Sequence, residues 1–222
     1  MKLSSDTIAI LKNYSEINPN LTINPGNRLK TISESQTIYS CGQVEEVFEH
    51  KFGIYDLKEF LATLSMFKDP DLTFTDKYVD IIDVQDNSIR TRYWSANLET
   101  LTKTPDMPDQ LPPCEVTFTI SSLNFKRIER ACNTLKFTDV KFVGKDRKII
   151  AVVFDASESV KNTFTVELES DFDGEDFEVQ VDQKKLVMID GDYQCNLLNG
   201  RTFQCVHKEK NLQYFIALSC SN

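Results

Sequence analysis

The sequence predicts an α+β protein built from two similar halves, each with two helices packed on antiparallel sheet. Three observations carry that expectation. Helix-period stretches are few, at 4–17, 56–67, 121–136 and 182–189, and short strand-like runs bounded by turn residues fill most of the rest. The order helix, strands, helix, strands occurs twice. The sequence also rhymes at an offset of 117: Leu3-Ser4-Ser5 precedes the first helix as Ile120-Ser121-Ser122 precedes the third, Ile8 matches Phe125, and Leu11 matches Ile128. An internal duplication explains all three.

Each element has its own warrant. In 4–17, Ile10, Tyr14 and Ile17 share one side and Lys12 the other. Strand-like runs follow at 21–24, 28–33, 36–42 and 46–54, separated by turn chemistry such as Asn24-Pro25-Gly26-Asn27. The helix at 56–67 opens with Asp56 and Glu59 at capping-box spacing, and Leu57, Phe60, Leu61 and Leu64 form its apolar face. Strands return at 72–75, 78–85 and 88–94. Residues 95–113 hold Pro105, Pro108, Pro112 and Pro113 with no sustained period, which predicts a linker between a domain at 1–94 and one at 114–222. Beyond it come a strand at 115–120, the helix 121–136, strands at 138–144, 147–155, 163–170 and 177–181, a short helix at 182–189, and strands at 192–198, 201–207 and 212–219.

The helix at 121–136 is the most informative stretch. Phe125, Ile128, Ala131, Cys132 and Leu135 recur at helical spacing. Lys126, Arg130 and Asn133 fall on the opposite face, with Arg127 at its shoulder. The chain carries a net charge of −9, yet this segment carries +3 and 182–189 carries +1, while 2–17 and 56–68 are neutral. Everything outside the four segments therefore sums to −13. A cationic helical surface on an anionic body predicts a polyanionic partner confined to that surface.

Other chemistry is excluded by what the sequence lacks. No phosphate-cradling glycine loop, GxSxG or nucleophile triad occurs, and the chain has only seven Gly. The acidic run from Glu167 to Glu178 lacks the ligand series of a calcium loop. Six cysteines (Cys41, Cys114, Cys132, Cys195, Cys205 and Cys220) show no zinc spacing, and His50 and His207 lie inside strand-like runs. Buried free thiols, no metal, no cofactor and no enzymatic activity are expected. The longest apolar run, Ile149 to Phe154, is too short to span a bilayer, and no signal-peptide core appears near the N-terminus, so a cytoplasmic protein is expected.

The opening MKLSSDTIAILKNYSEIN, the segment from Ile54 to Ser65 (IYDLKEFLATLS) and Tyr214-Phe215-Ile216-Ala217-Leu218 resemble the DNA polymerase sliding clamps of T-even-type tailed bacteriophages. The turn from Asp171 to Glu175 and the single Trp94 fit the same family. The resemblance implies the DNA-clamp fold, a homotrimeric ring around duplex DNA with helices lining the hole, and a polymerase tethered through a short docked peptide. It further implies a clamp-loader ATPase, a role in late transcription, and action in the cytoplasm of an infected bacterial host.

Under that reading, Lys126, Arg127, Arg130, Lys184 and Lys185, with Lys12 and Lys58 weaker, are the expected DNA-facing residues, contacting phosphates without reading bases. Trp94, Leu98, Leu111, Tyr214 and Ile216 are the expected peptide-docking residues, where apolar linker residues would meet the last strand. The competing reading is a non-enzymatic β-rich phage structural or scaffold protein with no DNA role.

Overall fold

The computed structural model describes residues 1–108, 110–156, 162–169 and 172–219. Cys220, and Asp171 of the expected 171–175 turn, lie outside the described residues. The chain divides into two compact units, Met1–Met107 and Pro108–Asn222.

The first unit runs α1 (Ser5–Ile17), β1 (Leu21–Ile23), β2 (Gly26–Ile32), β3 (Ile38–Phe48), β4 (Phe52–Ile54), α2 (Leu57–Ser65), β5 (Pro70–Phe74), β6 (Tyr78–Asp83) and β7 (Arg90–Trp94). Ser4 caps α1, its Oγ accepting the Thr7 N–H at 3.2 Å. The Glu46 carboxylate of β3 accepts the Ser4 N–H and the Thr7 hydroxyl at the same end. Burial alone would raise the Glu46 carboxyl, but those hydrogen bonds outweigh it and hold it below its ordinary value. Asp56 caps α2 by accepting the Lys58 and Glu59 N–H groups at 2.9 and 3.0 Å. Ile10, Leu11, Tyr14 and Ile17 of α1 and Leu57, Phe60 and Leu64 of α2 are buried. The strands pair antiparallel, β1 with β4, β2 with β3, and β5-β6-β7 in that order.

Two features of this unit depart from the sequence reading. The runs expected at 36–42 and 46–54 are really one 11-residue strand, β3, followed by β4. Gly42 does not break β3, because it sits opposite Leu29 in the ladder while Val44 and Phe48 continue the buried alternation. The start of the expected linker is seated on the unit. The Ala96 N–H donates to the Gly53 carbonyl at 2.9 Å, a 3-10 turn covers Leu98–Thr100, and Leu101 is buried. Gly53 permits this approach, since a Cβ there would lie 2.9 Å from the Ala96 carbonyl and from the Leu98 and Leu101 side chains.

The second unit runs β8 (Cys114–Ile120), α3 (Ser122–Leu135), β9 (Asp139–Lys145), β10 (Lys148–Phe154), β11 (Phe164–Glu169), β12 (Phe177–Asp182), β13 (Tyr193–Leu198), β14 (Thr202–His207) and β15 (Leu212–Ala217). One antiparallel sheet is ordered β11-β10-β9-β12 and another β15-β14-β13-β8. Phe118, Phe142 and Phe203 form the aromatic centre of its core, with Phe142 and Phe203 stacked at 5.0 Å between ring centroids. Ser121 caps α3 through the Asn124 N–H, so the two serines that rhyme in sequence, Ser4 and Ser121, do the same job.

The helix expected at 182–189 is a single 3-10 turn, Gln183–Lys185, followed by a half-buried irregular segment in which the Met188 N–H donates to the Leu186 carbonyl. The described residues therefore hold three α-helices, two in the first unit and one in the second.

Cys132, Cys195 and Cys205 are buried as expected, whereas Cys41 is half-buried and Cys114 is exposed near the N-terminal end of β8. Burial pushes the Cys132 thiol up to about 11, which leaves it inert at neutral pH. His50 lies in the turn before β4 rather than in a strand, with Nδ1 2.9 Å from Asp76, and His207 ends β14.

Candidate nucleic-acid interface

The apolar stripe of α3 (Phe125, Ile128, Ala131 and Cys132) is buried, so its spacing forces Lys126, Arg127, Arg130 and Asn133 outward, and all four are exposed. Leu135, expected on the apolar stripe, is 38 % exposed where the helix ends. Lys136 follows in the left-handed conformation (φ 56°), and its N–H closes the helix on the Cys132 carbonyl. Four cations against one acid, Glu129, thus stand on or beside one exposed helical face.

Their electrostatic situations differ. Lys126 Nζ lies 2.5 Å from an Asp190 carboxylate oxygen, and Arg127 donates to the Asn124 side chain at 3.1 Å. Arg130 is exposed with its charge outward. In the first unit Lys12 is exposed on α1, and Lys58 of α2 pairs with Glu16 of α1 at 2.9 Å. Lys184 is exposed, its backbone N–H held by Asp182, which caps the 3-10 turn. Lys185 is half-buried and donates to the Ala217 carbonyl at 3.0 Å, so its ammonium ties the turn to the end of β15.

Two of the expected docking residues are exposed in the single chain, Trp94 at 63 % and Leu111 at 40 %. Leu98 is half-buried on the first unit. Tyr214 and Ile216 are fully buried, and the Tyr214 hydroxyl accepts the Ile189 N–H at 3.2 Å. With Leu212 also buried, that side of β15 is a core face.

Sequence reasoning missed the acids that meet these cations. Asp190 and Asp192 close on the start of α3, where the Ser122 hydroxyl donates to Asp190 at 2.5 Å and the Ser122 N–H to Asp192 at 2.8 Å. The hydrogen bonds from Lys126 and then Ser122 hold the Asp190 carboxyl below the ordinary Asp range. No signal within 121–136 could reveal partners more than fifty residues away in the chain. Among the described residues no group of three or more His, Cys, Asp or Glu could hold a metal ion, and no helix is long and apolar enough to cross a membrane.

Solved structures place the fold. The A. fulgidus PCNA bound to the C-terminal region of FEN-1 superposes with a TM-score of 0.70 at 11 % identity, covering 97 % of this chain and 95 % of that one. The Helicobacter pylori beta clamp bound to a DNA ligase peptide gives 0.70 at 13 % identity, covering 99 % of this chain and 65 % of that one. The architecture is the DNA-clamp fold. No family model matches the chain. Curated relatives narrow the class: the sliding clamp of Vibrio phage KVP40 is 29 % identical over 223 residues, covering 98 % of each chain. That of Enterobacteria phage T4 is 25 % identical over 235 residues, covering 100 % of this chain and 98 % of its own. Over nearly its whole length the chain is similar in sequence to phage sliding clamps, and in fold to PCNA and the beta clamp.

Proposed function

We propose that the chain is a DNA polymerase processivity factor. It assembles as a homotrimeric ring that encircles duplex DNA, is placed there by a clamp-loader ATPase, and tethers the replicative polymerase in the cytoplasm of an infected bacterial host. It supports late transcription in the same setting. It has no catalytic activity; topological linkage does the work, and weak phosphate contacts let the ring slide. The observation that carries this reading is the full-length likeness to phage sliding clamps in a chain whose α3 presents exposed cations on an anionic body.

Topology gives the test. Loaded on nicked circular duplex, the protein stays bound through a salt wash, and one cut that linearises the circle releases it. Equal retention on both forms would mean ordinary binding. No association with either form would favour the scaffold reading.

For the polymerase peptide we propose the exposed members of the apolar set, Leu111 and Trp94, as contacts. Tyr214→Ser is unsuitable for testing it, because emptying a fully buried site costs about 3–5 kcal/mol and would damage the unit itself. Leu111→Ser combined with Trp94→Ala weakens binding of the polymerase peptide by about tenfold or more, as loss of apolar anchors does. Native mass stays unchanged. Wild-type affinity in that variant, measured by calorimetry, would move the docking site elsewhere.

A further inference from the structure

The loop before β13 holds its acid with unusual firmness. The Ile189 N–H donates to the Tyr214 hydroxyl, and the Tyr193 hydroxyl donates to the Ile189 carbonyl. His207 Nδ1 accepts the N–H groups of Glu209 and Lys210 at 3.1 and 3.2 Å, which leaves the proton on Nε2, and Nε2–H donates to the Asp190 carbonyl at 3.3 Å. Gly191 lies so close that a Cβ there would meet His207 Nε2 at 2.2 Å. Tyr193, Tyr214 and His207 are all buried. The core of the second unit therefore sets the backbone position of Asp190, and the carboxylate lands on Lys126 and the Ser122 hydroxyl together. The Asp190 side chain is itself 58 % exposed, as is that of Glu16 beside Lys58, so what sets Asp190 apart is the set of buried hydrogen bonds that hold its loop.

We infer that Asp190 is a built-in competitor for phosphate at Lys126, a fixed carboxylate that the duplex must displace before that lysine can contact it. The inference rests on the reading of α3 as the DNA-facing helix. An exposed ion pair of this kind is weak enough for a phosphate to replace. It also removes one cation per subunit from the resting DNA-facing surface, which limits the counterions that binding releases. A ring that slides gains from such a device, because each contact stays short-lived while the surface keeps its overall sign.

The test uses the full-length protein, a fluorescently labelled linear duplex and a salt series without loader. Asp190→Asn keeps an acceptor for the Ser122 hydroxyl and removes the charge. It binds about two- to fivefold tighter than wild type at low salt, with a steeper salt slope by up to about 0.9 for each subunit touching the duplex. Asp190→Glu restores wild-type behaviour. In a Lys126→Ala background the gain from Asp190→Asn vanishes, whereas a general effect of deleting a negative charge would persist there and overturn the inference. Wild-type affinity and slope for Asp190→Asn, with Lys126→Ala weakened, would also overturn it while leaving the DNA-facing reading intact. Wild-type binding by both Lys126→Ala and Arg130→Ala would instead remove the DNA-facing reading of α3. Thermal unfolding accompanies each variant, and Asp190→Ser replaces Asp190→Asn if the latter unfolds early.

Discussion

Reversing Lys126, Arg127 and Arg130 to Glu in every subunit shortens polymerase products on primed circular DNA and flattens their dependence on salt. Each phosphate contact contributes about 0.9 to the salt slope, so losing three removes about 2.7 units for each subunit that touches the duplex. That corresponds to roughly fortyfold in association constant for each fourfold change in salt. The loss falls unevenly. Lys126 is already paired with Asp190, so Arg130 and Arg127, which meet no carboxylate among the described residues, carry more of it. A Glu at 126 would also face Asp190, and the all-Ala triple variant therefore runs beside it as a check on folding. Solvent-face substitutions of this kind shift stability by only about 0.5 kcal/mol each. Trimer mass stays the same. Product lengths equal to wild type at every salt concentration would show that α3 faces plain solvent.

What could be read from sequence follows the range of the interactions involved. The α3 helix was legible because its causes are local: an apolar stripe at helical spacing, no interior Gly or Pro, and a serine at its start. Strand positions were legible for the same reason, and the serines at the 117-residue offset do cap equivalent helices. The stretch 182–189 misled because it holds no Gly or Pro, yet it carries no helical period: four polar residues are followed by four apolar ones. Its backbone groups find other partners, with the Ile189 N–H and carbonyl bonded to tyrosine hydroxyls from β15 and β13. An eight-residue helix is marginal without packing in its favour, and here packing favours an irregular path.

The candidate site was half legible. Residue type and helical angle placed the cations outward, but their partners are set by tertiary structure. Lys126 meets an acid 64 positions away, and Lys58 meets Glu16 across two helices. Lys185 is turned to the Ala217 carbonyl. Tyr214 and Ile216 show the opposite failure. The alternation of Leu212, Tyr214, Ile216 and Leu218 with Gln213 and Ser219 is legible in the sequence, and in β15 it marks the face that is buried, with Leu212, Tyr214 and Ile216 on it; the error lay in taking an apolar face as available to a peptide.

Closure of the proposed ring would fall to edge strands. In the first unit β7 pairs on one side only, with β6, and in the second unit β11 pairs on one side only, with β10, among the described residues. Unpaired edges attract partners, and head-to-tail pairing of unlike edges closes a ring when the rotation fits. Their charges are complementary. On β7, Arg90 and Arg92 are exposed, with Arg92 fixed by Asp80 at 2.7 Å and laid over the Tyr78 ring at 3.6 Å. On β11, Glu167 is exposed and paired with Lys148 of β10 at 2.9 Å. Under the proposed ring the expected native mass of wild type is about 75 kDa, three chains of 25.5 kDa. Arg90→Glu splits the trimer, and so does the pair Lys148→Glu with Glu167→Lys, which keeps the local ion pair while reversing the charge of the edge. At about 1 kcal/mol per interface and three interfaces, each change lowers the trimer association constant by roughly a hundredfold. All three substitutions in one chain restore the trimer, because the complementarity returns with opposite sign. Native mass at micromolar concentration reads every case. A trimer in all variants would place the seam on other edges, and a monomeric wild type would take the ring away altogether.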